Sequence, residues 1–300
     1  MLIKKGGPGY TGPPFLHYIY SNKSTIVNPK KPLILAVVLS SAILLYSYMK
    51  AFQDKADRLS TPNTHILYRV GFEEKDPFPS FLSKQIATPY GLQVIDRPVY
   101  QGKKAARFEL RDGDPENNNG TRTEISFPNP ESKINLERWY AFALFFPHDG
   151  YEPDSSDEVI SQWHQGGKTS PSLCIRTKND RIILRIRSGL KNKERIELGV
   201  IEKDVWHYYV MHIKHSPTED GLVEVWRDGV SIAKFNGANM YDLSDGIFHT
   251  PNWKLGIYKA SWNGSAITTT KKRVLFIDEI KLGNELSTYA DMIINPKQGK

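Results

Sequence analysis

The sequence has few cysteines, no zinc-type histidine spacing and, past residue 65, little helical periodicity. It contains one cysteine, Cys174, which cannot form an internal disulfide and lies in an apolar strand pattern that favours a small core residue. Its histidines show no zinc-type spacing. Past residue 65, no long segment has the periodicity of a helix. These absences argue against a disulfide scaffold, a zinc module and a helical bundle.

Acidic residues are missing from the first 32 positions, which instead hold five lysines. The segment is also rich in glycine and proline, so we predict a disordered basic tail over residues 1–32. The tail accounts for most of the net charge of +7, and the other 268 residues carry about +2. A nucleic-acid-binding function inferred from overall charge would rest on the tail alone, and no nucleic-acid partner is predicted.

One long hydrophobic run, residues 33–49, contains no charged residue and is flanked by lysines. As a helix it reaches about 25 Å, a little less than the hydrocarbon core of a bilayer, and flanking tyrosines and lysines can sit at the interface. We predict an uncleaved transmembrane signal anchor followed by a linker over residues 50–64. The lysine bias places the remainder outside the cytoplasm, in the periplasm or extracellular space. The alternative is a cleaved signal peptide, which would make the protein secreted.

From residue 65 to residue 300, short strands alternate with turn residues. Fourteen strands are predicted, at 66–73, 92–96, 104–110, 121–127, 138–146, 158–164, 172–177, 181–188, 195–200, 206–215, 222–227, 230–236, 253–259 and 274–282. Asp228 and Gly229, between two of them, are typical of a type I′ hairpin turn. The pattern predicts one all-β domain, a jelly-roll sandwich of two antiparallel sheets.

Two of these strands carry polar pairs at period two, which places both members of each pair on one face. Arg122 can bind a carboxylate bidentately, and Glu124 can orient it. Gln162 supplies an amide, and His164 a base that titrates near neutral pH. Taken alone, the first pair is better explained as an ion pair on a strand surface, and a single histidine is more often structural.

A third strand places Lys254, Gly256 and Tyr258 on one face and apolar residues on the other. We interpret Gly256 as leaving space for a sugar ring to approach. Arg185 lies on the polar face of its own strand, and Trp262 is an aromatic that can stack on a sugar. If these strands share one sheet, a cation, an imidazole, an amide and a phenol converge on one face. That set suits chemistry on an anionic sugar.

The three motif strands resemble those of the polysaccharide lyases with a β-jelly-roll fold, a group that includes heparin lyase I, glucuronan lyase and the alginate lyases. The likeness spans residues 68–283 and implies a concanavalin-like sandwich. Two departures stand out: Ile125 replaces the usual leucine, and Tyr258 is followed by Lys-Ala-Ser rather than Asn-Gln. The second counts against alginate and leaves glucuronan-like and glycosaminoglycan-like substrates open.

The resemblance implies β-elimination, in which the C5 proton of a uronic acid is removed once its carboxylate is neutralised. It implies that Arg122 and Gln162 neutralise the carboxylate, while His164 assists or acts as the base. Tyr258 would protonate the departing O4, or would act as both base and acid for one C5 epimer.

The expected substrate contacts are Lys254, Glu124, Arg185 and Trp262. This chemistry requires no cofactor, although Asp278 leaves room for a structural calcium ion. The expected partners are an anionic polysaccharide and, through the N-terminal helix, a membrane. The protein is expected to be a monomer.

Two other functions remain open at this point. A non-catalytic concanavalin-like carbohydrate-binding domain would keep aromatics such as Trp226 and Trp262 but would not need the glutamine, histidine and tyrosine. A β-sandwich glycoside hydrolase needs two carboxylates about 5–5.5 Å apart for a retaining mechanism. No strand carries the spacing Glu-x-Asp-x-x-Glu that would supply them, so this function ranks third.

Overall fold

The chain divides into two units, residues 1–62 and residues 63–300. The computed structural model describes residues 45–47, 50, 65–127, 136–188, 192–244, 246, 249–264 and 267–294. The predicted tail and all but residues 45–47 of the predicted anchor lie outside this set, so the anchor stays a prediction. None of the helices in the described residues is both long and apolar enough to cross a membrane.

In the described part of the second unit, fifteen strands form two antiparallel sheets. The eight-stranded sheet contains β1 (Ile66–Val70), β3 (Leu92–Ile95), β4 (Ala105–Arg111), β6 (Glu137–Phe145), β11 (Trp206–Lys214), β12 (Leu222–Arg227), β13 (Val230–Asn236) and β15 (Lys272–Gly283). The seven-stranded sheet contains β2 (Ser83–Ile86), β5 (Arg122–Phe127), β7 (Glu158–His164), β8 (Leu173–Lys178), β9 (Arg181–Ser188), β10 (Asn192–Val200) and β14 (Asn252–Tyr258).

The spatial order of the strands differs from their order in the chain. The seven-stranded sheet runs β10-β9-β8-β7-β14-β5-β2, so β14 lies between β7 and β5. The eight-stranded sheet runs β13-β12-β11-β6-β15-β4-β3, and β1 also pairs with β15. The prediction of an all-β sandwich of two antiparallel sheets is confirmed.

The core lies between the two sheets, because alternate residues of each strand point inwards. On β9, Ile182, Leu184 and Ile186 are almost fully buried and belong to the core. On β14, Leu255 and Ile257 are likewise buried in the core. The polar residues between them therefore lie on the outer face of the seven-stranded sheet.

The predicted hairpin between β12 and β13 has the expected backbone. Asp228 has φ 51° and Gly229 has φ 87°, the two positive angles of a type I′ turn. Three short elements were not predicted. They are the edge strand β2, the 3₁₀ turn Ala260–Asn263 and the helix α1 (Tyr289–Met292). Each has four residues, too few to show a period, and β2 is mainly polar and exposed or half-buried.

A buried cluster of four charges surrounds Lys259, the residue directly after β14. Lys259 Nζ is 2.6 Å from a Glu158 oxygen and 3.2 Å from an Asp154 oxygen, and Arg273 Nη2 is 3.0 Å from Glu158. The Lys259, Asp154 and Glu158 side chains have no exposed surface. Since an unpaired charge is costly in such a place, the four groups must stay together.

Replacing Lys259 with methionine is expected to lower the free energy of unfolding by about 3–5 kcal/mol, because two buried carboxylates would share the one remaining cation. Urea unfolding of the full chain measures this loss. Lys271→Met is the control, since Lys271 is 79% exposed and forms a surface ion pair with Asp112, so about 1 kcal/mol or less is expected. Equal losses for the two variants would contradict this account of the cluster.

A second buried titratable group lies at the end of β11. His215 is 4% exposed, and its Nε2 lies 3.2 Å from the Tyr140 hydroxyl. Burial, with a smaller contribution from Arg138, lowers the pKa of His215 to about 3. The imidazole is therefore neutral in the folded protein at every pH above that value.

This depressed pKa predicts acid-dependent stability. The unfolded chain binds a proton at His215 below about pH 6.5 while the folded chain does not, so stability is lost as pH falls from about 6.5 towards 3. The expected slope rises towards about 1.4 kcal/mol per pH unit as the pH falls below about 6.5, measured as the difference between the wild type and His215→Gln in urea unfolding at pH 7, 6 and 5. Equal slopes for the two proteins would contradict it.

Candidate active site

A cleft of about 1060 Å³ lies on the outer face of the seven-stranded sheet. Its floor is formed mainly by β5, β14 and β7. The polar residues that line it include Gln85, Asn118, Asn119, Arg122, Gln162, His164, Lys168, Arg176, Arg185, His249, Asn252, Lys254 and Tyr258. In the described part of the chain, no aspartate or glutamate is among the lining residues.

The strand register brings the three predicted motifs together. Tyr258 on β14 pairs with Arg122 on β5, and Lys254 on β14 pairs with Gln162 on β7. His164 pairs with Asn252 at the start of β14. Directly paired residues share a face, so all of these side chains belong to one surface. The common cleft therefore brings together segments of the chain that are far apart in sequence.

Glu124 connects two of the predicted residues beneath the cleft. It is fully buried and accepts a hydrogen bond of 3.0 Å from Arg122 Nη1 and a second, short one from Gln162 Nε2. Each donor uses only part of its hydrogen-bonding capacity in this way. Arg122 Nε, also buried, has no hydrogen-bond partner among the described residues. The network fixes both side chains and leaves N–H groups for a ligand.

The Tyr258 ring packs against Arg122 and Gly120. The Arg122 guanidinium lies over the ring at 4.1 Å from its centroid, a cation–π contact. A Cβ placed on Gly120 would lie 2.6 Å from Tyr258 Cε2 and 2.8 Å from Arg122 Nη2. The bare glycine is therefore needed for the phenol to occupy its position beside the guanidinium.

His164 makes hydrogen bonds to the protein backbone through both ring nitrogens. The Gly166 N–H donates to Nδ1 at 2.9 Å, so the neutral ring carries its proton on Nε2, which lies 3.2 Å from the Thr169 carbonyl. Burial, and then the nearby Lys254, lower the pKa of His164. The neutral imidazole therefore holds the loop after β7 through these two hydrogen bonds, and its one lone pair already accepts the Gly166 N–H.

Lys254 is 6% exposed and donates to Gln85 Oε1 at 3.1 Å. Burial lowers its pKa, and Glu124 opposes that shift. Lys254, Arg122 and Glu124 together leave one positive charge uncompensated under the cleft. A ligand carboxylate would balance it.

Of the other two predicted substrate contacts, Arg185 lies in the cleft and Trp262 does not. Arg185 on β9 lines the cleft, is 6% exposed and has a buried Nε without a hydrogen-bond partner among the described residues. Trp262 does not line the cleft. Its ring packs 5.6 Å from Lys259 Nζ, and its Nε1 donates to Thr268, so it belongs to the surroundings of the buried ion cluster.

The explanation offered for Gly256 is wrong. Its φ is +137°, and a Cβ there would lie 2.2 Å from the Thr123 carbonyl oxygen on β5. The glycine therefore accommodates the neighbouring strand at an irregularity in the β14–β7 pairing, and not a sugar ring.

Sequence reasoning missed several lining residues. Asn252 shares the face of Lys254, and its Oδ1 is buried without a hydrogen-bond partner among the described residues. The period of two would have identified it, had the strand been started one residue earlier. Arg176 shares the cleft face of β8 and is paired with Asp157. Gln85 lies on β2, the strand that was not predicted.

Asp278 is fully buried, and its surroundings on balance disfavour the charged carboxylate. Its carboxylate accepts backbone N–H groups from Tyr100, Gln101 and Glu279 at 2.7–3.1 Å. Burial raises its pKa to about 7. Among the described residues, no group of three or more histidine, cysteine, aspartate or glutamate side chains could hold a metal ion. The calcium site stays a prediction without further ligands.

The family profile described as polysaccharide lyase matches residues 71–281. The chain therefore belongs to this family and is a lyase that acts on polysaccharides. The resemblance drawn from the three motif strands is confirmed, and membership sets aside the binding-domain and hydrolase alternatives. A comparison with curated proteins finds no match.

A solved structure supports the same architecture. The endo-β-1,4-glucuronan lyase of the fungus Trichoderma reesei has a TM-score of 0.62 and 18% sequence identity, over 76% of this chain and 98% of that chain. At this identity the likeness concerns the fold. The binding domain of botulinum neurotoxin DC, solved with rat synaptotagmin II, matches at a TM-score of 0.49 and 8% identity, over 77% of this chain and 51% of that chain.

Replacing Gly120 with alanine is expected to lower kcat for polysaccharide cleavage about 100-fold while the protein stays folded, because the new methyl group displaces the Tyr258 ring. Gly264→Ala is the matched control, since a Cβ there meets nothing within 4 Å. Steady-state kinetics and thermal unfolding of both variants provide the comparison. Full activity of Gly120→Ala would show that the ring position is unimportant.

Proposed function

We propose that this lyase cleaves a uronic-acid-containing polysaccharide by β-elimination and leaves an unsaturated uronate end. One observation carries the proposal: a cleft with no acid among its described lining residues has at its floor a buried arginine, packed on a tyrosine ring, whose Nε has no hydrogen-bond partner in that part of the chain. A uronate offers the carboxylate that this arginine can bind and the C5 proton that the phenol can reach.

The difficulty of the reaction lies in the weak acidity of the C5 proton. Hydrogen bonds from Arg122 and Gln162 to the uronate carboxylate would stabilise the negative charge that develops on it when the proton leaves. Glu124 holds both donors in place before the substrate arrives, and Lys254 supplies the remaining positive charge. The donors therefore need little rearrangement during the reaction.

Tyr258 is the residue we assign to proton transfer. Its side-chain oxygen would take the C5 proton while its own hydroxyl proton passes to O4, so the C4–C5 double bond forms as the C4–O4 bond breaks and the phenol ends as it began. His164 is assigned to positioning, because its Nδ1 lone pair accepts the Gly166 N–H and its Nε2 lies against the Thr169 carbonyl. Of the two roles left open for the tyrosine, we therefore propose the one in which it serves as both base and acid.

Polyglucuronate is the first substrate to test, since the similar fungal enzyme is a glucuronan lyase. The hydrophobic run at 33–49 supports a protein held in a membrane with this domain outside the cytoplasm, or secreted if the run is cleaved. We propose that the domain acts there as a monomer.

Tyr258→Phe is expected to lower kcat by about 10³-fold or more, since it removes the only proposed proton carrier. His164→Asn is expected to lower kcat about 10-fold, because an amide can keep part of the loop contact. The measurement is the rise in ultraviolet absorbance of the unsaturated uronate during incubation with polyuronides. Lys271→Gln, on the exposed surface, is the control for expression and folding.

Three results would change the assignment. Equal losses in the tyrosine and histidine variants would make the imidazole the proton carrier. New reducing ends without an absorbance rise would indicate hydrolysis. Binding of polyuronides without either product would indicate a binding domain.

A further inference from the structure

One exposed side chain, Asn263, holds both ends of a turn that reaches into the cleft. Asn263 is the last residue of the 3₁₀ turn that follows β14, and it is not among the described residues that line the cleft. Its Oδ1 accepts the backbone N–H of Thr121 at 2.7 Å, and its Nδ2 donates to Glu116 Oε1 at 2.5 Å. These two contacts, the Asn263 clamp, join the ends of residues 116–121, the asparagine turn.

The asparagine turn contributes both to the cleft and to the surroundings of the phenol. Asn118 and Asn119 line the cleft, and both have the positive φ angles, 51° and 58°, of a type I′ turn. A hydrogen bond of 2.9 Å from the Asn117 N–H to the Gly120 carbonyl closes the turn. Gly120 is the residue against which the Tyr258 ring packs. A shift of the turn therefore changes the contact that the phenol rests on.

The segment that carries Asn263 is itself firmly held. The Thr121 carbonyl accepts the Lys259 N–H at 3.1 Å, which continues the pairing of β5 with β14 by one residue. The Lys259 side chain lies in the buried ion cluster, and the Lys259 carbonyl accepts the Trp262 N–H at 3.1 Å. The chain then leaves the sheet, so the Asn263 amide, and not a strand carbonyl, bonds the N–H of Thr121, a residue that is 2% exposed.

We propose that Asn263 is a positioning residue for cleavage, which acts through the asparagine turn to hold Gly120 against the Tyr258 ring. The inference rests on the role proposed for Tyr258 in proton transfer. Without the clamp, the buried Thr121 N–H loses its partner, and the turn must shift to satisfy it. Misplacement of a reacting group by about 1 Å can lower a rate about 100-fold, so a small shift beside the phenol is enough to affect catalysis.

Asn263→Ala is expected to lower kcat about 10-fold while KM changes less than about 3-fold, because the side chain lies outside the cleft. Cleavage by the full chain is measured both as new reducing ends and as ultraviolet absorbance, well below the unfolding temperature of each variant. Gly264→Ala is the matched control, since it changes the next residue, where a Cβ meets nothing within 4 Å. An unchanged kcat for Asn263→Ala would overturn the inference.

A reciprocal exchange separates the clamp from a general effect on folding. Glu116→Gln keeps an oxygen that accepts from Asn263, and kcat is expected to stay within about 2-fold of the wild type. Asn263→Asp keeps the acceptor for Thr121 but faces the Glu116 carboxylate, and is expected to lose about 5-fold. The double variant again places an amide donor opposite a carboxylate, so kcat is expected to return to within about 2-fold of the wild type. No recovery in the double variant would contradict the clamp.

Combination with Gly120→Ala tests whether Asn263 acts through the phenol. Both changes displace the same ring, so adding Asn263→Ala to Gly120→Ala is expected to lower kcat by less than about 3-fold more. A further loss of the full 10-fold or so would overturn the inference, because independent effects multiply. Reducing ends without any absorbance rise would contradict the proposed function, whereas the comparisons among the Asn263 variants would still decide whether Asn263 positions the site.

Discussion

The hydrogen bonds of the buried Glu124 carboxylate are the interaction on which the site depends. The bond from Gln162 joins β7 to β5 across β14, and the bond from Arg122 holds the guanidinium against the same acid within β5. A carboxylate with no exposed surface is stable only when such donors surround it. The same contacts that make Glu124 tolerable also hold an arginine and an amide beneath the cleft, with N–H groups left for a sugar carboxylate.

The groups of the site that lower the stability of the fold lie on the outer face of the seven-stranded sheet. Lys254 and Arg185 lose hydration there, and like charges face each other between β9 and β10. The opposite face of the same strands compensates with an apolar core of interdigitated side chains. At the end of β14, the Lys259 cluster ties the residue after Tyr258 to two buried acids. The position of the chain next to the Tyr258 phenol is therefore fixed by the buried Lys259 cluster, which lies outside the cleft.

Much of the fold and the polar content of the site could be predicted from period-two patterns. Alternation identified the core face of β9 and β14, and it placed Arg122 with Glu124 and Gln162 with His164. Strand order could not be predicted, since local sequence does not show that β14 inserts between β5 and β7. Trp262 was misplaced because it follows the strand rather than belonging to it, and Gly256 was misread because its neighbour is the backbone of another strand.

The most direct test of the central claim is the structure of the Tyr258→Phe variant with a bound uronate oligosaccharide. We predict that one uronate carboxylate lies about 2.7–3.2 Å from both Arg122 and Gln162, with its C5–H facing the ring at position 258. An oligosaccharide bound to the eight-stranded sheet, or one whose carboxylates all lie away from Arg122, would contradict the account.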